Sequence, residues 1–198
     1  MIINPKEIRG NWNHGWALDT HTVRSILTGT DEWGRKTFDT TRSEIGEALY
    51  RLKYQDDRRQ LKPIANAVTL FIMTRFELTD IQAIIAVPPS DTNRRFQPVQ
   101  ELAAVIGKKL KLPVPTDYLL KIKQTEPLKD MDDRRKRSEA LEDAFEVRDD
   151  RYRGSHVLVF DDLYRSGETL CAICAALISQ GKVGKVSVVT VTMTKSKR

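Results

Sequence analysis

Val157-Leu158-Val159-Phe160-Asp161-Asp162-Leu163-Tyr164-Arg165-Ser166-Gly167-Glu168-Thr169-Leu170 is the stretch on which the fold turns. Its four leading apolar residues suit a strand buried on both faces, as in a parallel sheet covered by helices. Two carboxylates stand at the carboxyl end of that strand. A short loop with Ser166, Gly167 and Thr169 then leads into the helical pattern GETLCAICAALISQG, closed by Gly181. In open parallel sheets ligands bind outside such carboxyl ends, where the first N–H groups of the next helix lack intrahelical partners and can hold a phosphate. Gly167 permits close backbone approach, while Ser166 and Thr169 add hydroxyl donors. Adjacent carboxylates would repel that phosphate unless they served another part of the ligand; sugar hydroxyls, or a hydrated Mg²⁺ balancing further phosphates, suit them. The plainer reading is that Asp161 and Asp162 finish a strand and cap a turn. Neither GxxxxGK[ST] nor GxGxxG occurs, which excludes a Walker loop and a dinucleotide-binding loop.

Working outward, the stretch is one of several strand and helix signals in alternation. Upstream, IQAIIAVPPS is a short apolar run ending in Pro88-Pro89-Ser90, followed by the helix pattern PVQELAAVIGKKLKL that Pro113 closes. DYLLKIK reads as a further strand, and residues 123–145 combine a polar loop with a charged helix. Downstream, KVSVVTVTMT is another strand. The order β-α-β-α-β predicts an α/β fold with a parallel sheet and crossover helices. Toward the N-terminus, Ser43 precedes EIGEALYRLKY, with Ile45, Leu49 and Leu52 at helical spacing, and Leu61 to Phe76 repeats that pattern. From Trp16 to Thr41, β-branched residues flank the turn-rich TGTDEWGRK, which predicts a β-hairpin or small irregular lobe.

The 198 residues suit one α/β-sized domain with at most a small appended lobe. Hydrophobic residues at 40% exclude wholesale disorder, and 10 Gly and 8 Pro exclude a collagen-like or low-complexity chain. A net charge of +6 favours anionic partners such as phosphates, nucleotides or nucleic acid without selecting one. Cys171 and Cys174 have no second pair or neighbouring His to complete a four-ligand site, so no zinc is expected. The absence of a disulfide framework makes the cytoplasm the expected compartment. The apolar runs are too short for membrane insertion, and the N-terminus has no apolar leader. His14, His21 and His156 share no ligand spacing and read as structural or solvent-facing. Trp12, Trp16 and Trp33 fall within the N-terminal lobe, where packing is favoured over base stacking.

VLVFDDLYRSGETL resembles the 5-phosphoribosyl-1-pyrophosphate (PRPP) signature of the type I phosphoribosyltransferases, and the wider chain is similar to their ComF branch. Leu52-Lys53-Tyr54, AVPPSDTNRRFQPVQELA and KQTEPLKDMDDRRKRSEALEDAF support the likeness, which spans about residues 45–194. It implies a core over 45–198 and a small N-terminal hood lobe over 1–44 that contacts the acceptor base. It further implies that Asp161 and Asp162 are the catalytic pair, binding the ribose 2- and 3-hydroxyls, with Mg²⁺ held through PRPP near them rather than directly. Arg165, Ser166, Gly167, Glu168 and Thr169 would hold the 5-phosphate. Pro88, Pro89 and Ser90 would approach the pyrophosphate, where Arg94 and Arg95 are placed to clamp phosphate oxygens. Lys121, Lys123, Gln124, Arg134 and Arg135 would belong to a flexible lid, although seven basic and four acidic residues over 121–137 favour a solvated charged helix face on composition alone. Two departures stand out: Arg165-Ser166 replaces the two Thr of many members, and the Cys-rich N-terminal zinc element of many ComF proteins is missing.

The activity so implied is phosphoribosyl transfer from Mg²⁺-PRPP to a nitrogenous acceptor, releasing pyrophosphate. No side chain stands out as a general base. The rival reading is a non-catalytic module that senses PRPP or another ribose 5-phosphate, or binds single-stranded nucleic acid during DNA uptake or processing. The net charge and the tail with Lys195, Lys197 and Arg198 favour that rival. A homodimer is a further admissible partner.

Overall fold

A computed structural model describes residues 1–123, 141 and 143–195. The chain forms β1 (Lys6–Glu7), β2 (His14–Thr20), β3 (Thr22–Thr30), β4 (Lys36–Arg42), α1 (Glu44–Tyr54), α2 (Leu61–Arg75), β5 (Ile81–Ala86) and α3 (Pro98–Leu110). It continues through β6 (Leu119–Lys121), β7 (Phe145–Val147), β8 (His156–Tyr164), α4 (Glu168–Ser179) and β9 (Lys185–Met193). Five strands make the main sheet in the order β1-β2-β9-β8-β5. All its neighbours run parallel except β1 against β2. This is an α/β fold with a mostly parallel, helix-flanked sheet.

The apolar run of β8 explains its central place. Val157 and Val159 pack with Ile173, Cys174 and Leu177 of α4 on one face. Leu158 and Phe160 pack with Leu49, Ile64, Ile72 and Ile106 of α1, α2 and α3 on the other. Successive side chains of a strand point to opposite faces, so a strand covered on both sides loses the alternation of apolar and polar residues. The helices have local reasons to start where they do. Ser43 caps α1, its Oγ accepting from Gly46 N at 3.1 Å, and Glu44 and Glu47 sit in the first turn, where the helix dipole favours negative charge. Pro98 opens α3, and Lys111 ends it in a left-handed conformation at φ 56°.

Two strands differ from the sequence expectation. DYLLKIK contributes only β6, which pairs antiparallel with β7 in a separate two-stranded sheet. β2 was expected within a hairpin, yet it joins the main sheet beside β9, with Trp16 opposite Val189. Ala17 and Leu18 are both fully buried there, one toward each layer, a demand no freestanding hairpin meets. The hairpin itself is β3 with β4, closed where Asp31 Oδ1 accepts from the backbone N–H groups of Trp33 and Arg35. Of residues 1–44, then, β1 and β2 lie in the main sheet and the hairpin stands outside it. The three Trp do not gather. Trp12 meets Tyr164 edge-on in one layer, Trp16 meets Phe71 in the other, and Trp33 is 72% exposed at the hairpin turn.

Candidate functional site

The carboxyl ends of β5 and β8 lie side by side, because Ala86 pairs with Phe160 and Val87 N donates to Phe160 O at 2.9 Å. This register carries Val87-Pro88-Pro89-Ser90 directly past Asp161 and Asp162. The loop after β5 is held by Gln100, whose Nε2 donates to Val87 O at 2.8 Å. Gln97 supports it further, its Nε2 donating to Asp91 O at 2.8 Å and to Arg94 O at 3.1 Å. A cavity of about 210 Å³ results, lined by Asp161 and Asp162 on one side and by Pro88, Pro89, Ser90 and Arg94 on the other.

Lys53 joins these residues from α1. Its Nζ lies 2.6 Å from Asp162 Oδ2, with the two side chains 18% and 11% exposed. Burial lowers the affinity of Lys53 for its proton, but the charge and hydrogen bond of Asp162 outweigh it and hold the ammonium above its ordinary range. Asp161 Oδ1 accepts from Asp162 N at 2.8 Å. Burial and the neighbouring Asp162 charge raise Asp161 well above the usual carboxylate range. Arg94 pairs with Asp91 at 3.4 Å in a more open setting. The lining thus holds two cations, Lys53 and Arg94, against three carboxylates, Asp91, Asp161 and Asp162.

The loop after β8 turns as its composition predicts. Gly167 has φ 87°, in the left-handed region, and a Cβ there would stand 3.0 Å from the Tyr164 ring. No side chain caps the N-terminus of α4 among the described residues. The residues expected to hold a 5-phosphate nevertheless divide. Ser166 and Glu168 line a different cavity of about 620 Å³ together with Arg9, Tyr164 and Cys171. Arg165 is exposed and Thr169 half-buried, and neither lines that cavity or the one beside Asp161. Arg95 is exposed and likewise lines neither, in contrast to Arg94.

Among the residues expected in a lid, Lys121 lines a third, mainly apolar cavity of about 330 Å³ behind Pro88 and Pro89, and burial lowers its pKa. Lys123 is exposed. Gln124, Arg134 and Arg135 lie outside the described residues, as do Lys197 and Arg198 of the basic tail; Lys195 Nζ donates to Val23 O at 2.6 Å. Of the histidines, His156 Nε2 bonds Ser187 Oγ at 2.9 Å inside the fold. His21 Nδ1 lies 3.3 Å from Thr192 Oγ1, and burial followed by Arg42 and Lys53 lowers its pKa.

Sequence reasoning quoted Lys53 within Leu52-Lys53-Tyr54 without giving it a place in the site. A signal was present. Lys53 is the residue after Leu52 and four after Leu49, at the border of the apolar stripe of α1, where a lysine stem can lie on apolar surface and its ammonium reach a neighbouring carboxylate.

Comparison with known proteins adds little. No protein-family model matches the chain, and no curated protein matches it. Among solved structures it is similar to Leishmania donovani UMP synthase, with a TM-score of 0.39 and 14% identity over 85% of this chain. The match spans 27% of the UMP synthase chain.

Proposed function

We propose that the chain is a PRPP-binding, phosphoribosyltransferase-like protein that moves the phosphoribosyl group to a nitrogenous acceptor. The observation that carries this reading is the shared cavity, in which paired carboxylates at the end of β8 face the loop with Ser90 and Arg94 after β5. The signature resemblance of residues 157–170 supports it. So does the place of Lys53, from the segment similar to the ComF branch, beside Asp162.

In the transfer a bond forms between the acceptor nitrogen and the anomeric carbon, and the bond from that carbon to the pyrophosphate oxygen breaks. The acceptor nitrogen gives up its proton to water, and the bonding electrons leave with pyrophosphate. Asp161 and Asp162 would accept the ribose hydroxyls and orient the sugar, while Ser90 and Arg94 would stabilise charge growing on the leaving group. The phosphates of PRPP would add negative charge to a lining that already carries Asp91 and Asp162, so a divalent cation brought in with the diphosphate fits the donor set. Mg²⁺ would supply neutralisation of the phosphate oxygens. The backbone at Gly167 would approach the 5-phosphate at the start of α4.

Calorimetric titration of Mg²⁺-PRPP into the wild type and Asp161→Asn/Asp162→Asn tests the binding site. Affinity is expected to fall at least about tenfold in the double variant, the size of one lost hydrogen bond to a charged group. Equal affinities and enthalpies would refute the assignment. Release of pyrophosphate from PRPP with a panel of bases and amines tests the transfer itself.

A further inference from the structure

The proposed site contains an ion pair that ties α1 to the end of β8. Lys53 reaches Asp162 from α1, across the junction between the helical layer and the end of β8, and both side chains are largely withdrawn from water. Desolvation makes such a pair expensive unless its geometry is good, and at 2.6 Å it is. Asp161, directly beside it, has no cation within ion-pair distance among the described residues. The pair therefore treats the two neighbouring carboxylates unequally. Bonding through Oδ2 still leaves Asp162 acceptor capacity for a ligand, because an ionised carboxylate offers about four lone-pair sites.

Resting on the ribose-phosphate reading above, we propose that Lys53 is a positioning residue that makes this site discriminate ribose from deoxyribose, by fixing the Asp162 carboxylate at the cavity wall through their ion pair. A sugar hydroxyl donating to a carboxylate makes a charge-assisted bond, about twice as strong as one to a neutral group. Two adjacent, poorly hydrated carboxylates with no cation between them cannot both stay ionised, and the one that takes a proton forfeits that advantage. Lys53 stands beside Asp162 and not Asp161, so the geometry singles out Asp162 as the carboxylate that keeps this role. The 2.6 Å contact to Oδ2 also fixes the direction from which Asp162 is approached.

The test is the ratio of affinities for ribose 5-phosphate and 2-deoxyribose 5-phosphate, measured by calorimetry on the full chain. The wild type should prefer the ribose form by about tenfold or more, the worth of one hydrogen bond to a charged group. Lys53→Met should bring the ratio below about threefold, and Lys53→Arg, which keeps the charge, should retain most of it. Should Lys53→Met fail to fold, Lys53→Gln, which keeps a polar head without the charge, gives the same readout and must also collapse the ratio. If Lys53 merely ties α1 to β8, Lys53→Met lowers the melting temperature and both affinities together and leaves the ratio unchanged; that result overturns the proposal alone. Failure of the wild type to bind either sugar phosphate overturns the ribose-phosphate reading and this proposal with it.

Discussion

Gly167 and His156 show how single positions bear on the fold at opposite ends of β8. With φ 87° at Gly167, any Cβ meets both backbone strain and the Tyr164 ring. Gly167→Ala is expected to lower stability by about 1–2 kcal/mol, the cost of a left-handed L-residue, and to weaken binding of ribose 5-phosphate. Thermal denaturation and calorimetry check the two effects separately. His156 is held at a pKa of about 4, first by burial and then by the charge of Lys185. The unfolded chain takes up that proton near pH 6.5, so on acidification it binds more protons than the folded chain and stability falls between about pH 6.5 and 4. Above that window the term is constant. The shift from 6.5 to about 4 sets an upper bound of about 3 kcal/mol on the loss. In His156→Gln, which can still bond Ser187, this part of the pH dependence should disappear from denaturant melts.

Elements differ sharply in what they contribute to stability. β8 is buried on both faces, and Leu158 is fully enclosed between α1, α2 and α3. Leu158→Ala should therefore cost about 3–4 kcal/mol through lost transfer energy and the cavity left behind, read from urea unfolding at unchanged m. The β3–β4 hairpin is the counterexample, with Val23, Leu27 and Phe38 each roughly half exposed. Joining Thr28 to Thr37, which already bond through their hydroxyls at 3.0 Å, by an Asn-Gly turn removes the distal hairpin and Trp33. The melting temperature is expected to change by no more than about 2 °C, as for surface changes that touch no core.

At the scale of the whole molecule, protection should follow the layers. β8 and β9, nine residues each, pair at eight positions and are covered on both faces. Their amides should exchange slowest, near the global unfolding free energy, while those of β3 and β4 exchange through local opening. Uniform protection across both sheets, measured by hydrogen exchange with mass spectrometry, would contradict this division. Ligand binding at the β5–β8 edge should add protection to the loop at residues 87–97 before it affects the hairpin.

The apolar run ahead of Asp161, the helical spacing of Ile45, Leu49 and Leu52, and the Pro-Pro-Ser ending of β5 were local signals, and each foretold its element because burial on both faces or on one stripe leaves a direct mark on residue order. The same locality marked Gly167, since a left-handed turn must be met by the residue that occupies it. The sequence by itself thus determined a parallel α/β sheet and the carboxylate pair at its edge. It did not determine that β2 would leave the expected hairpin to lie beside β9, that Arg94 and not Arg95 would line the cavity, or that Ser166 and Glu168 would turn to another cavity. Nor did it bring Lys53 to Asp162 across 109 positions of chain. Those arrangements depend on strand register and on the packing angle of helices against the sheet, which arise from contacts between distant segments and leave no periodicity in either segment alone.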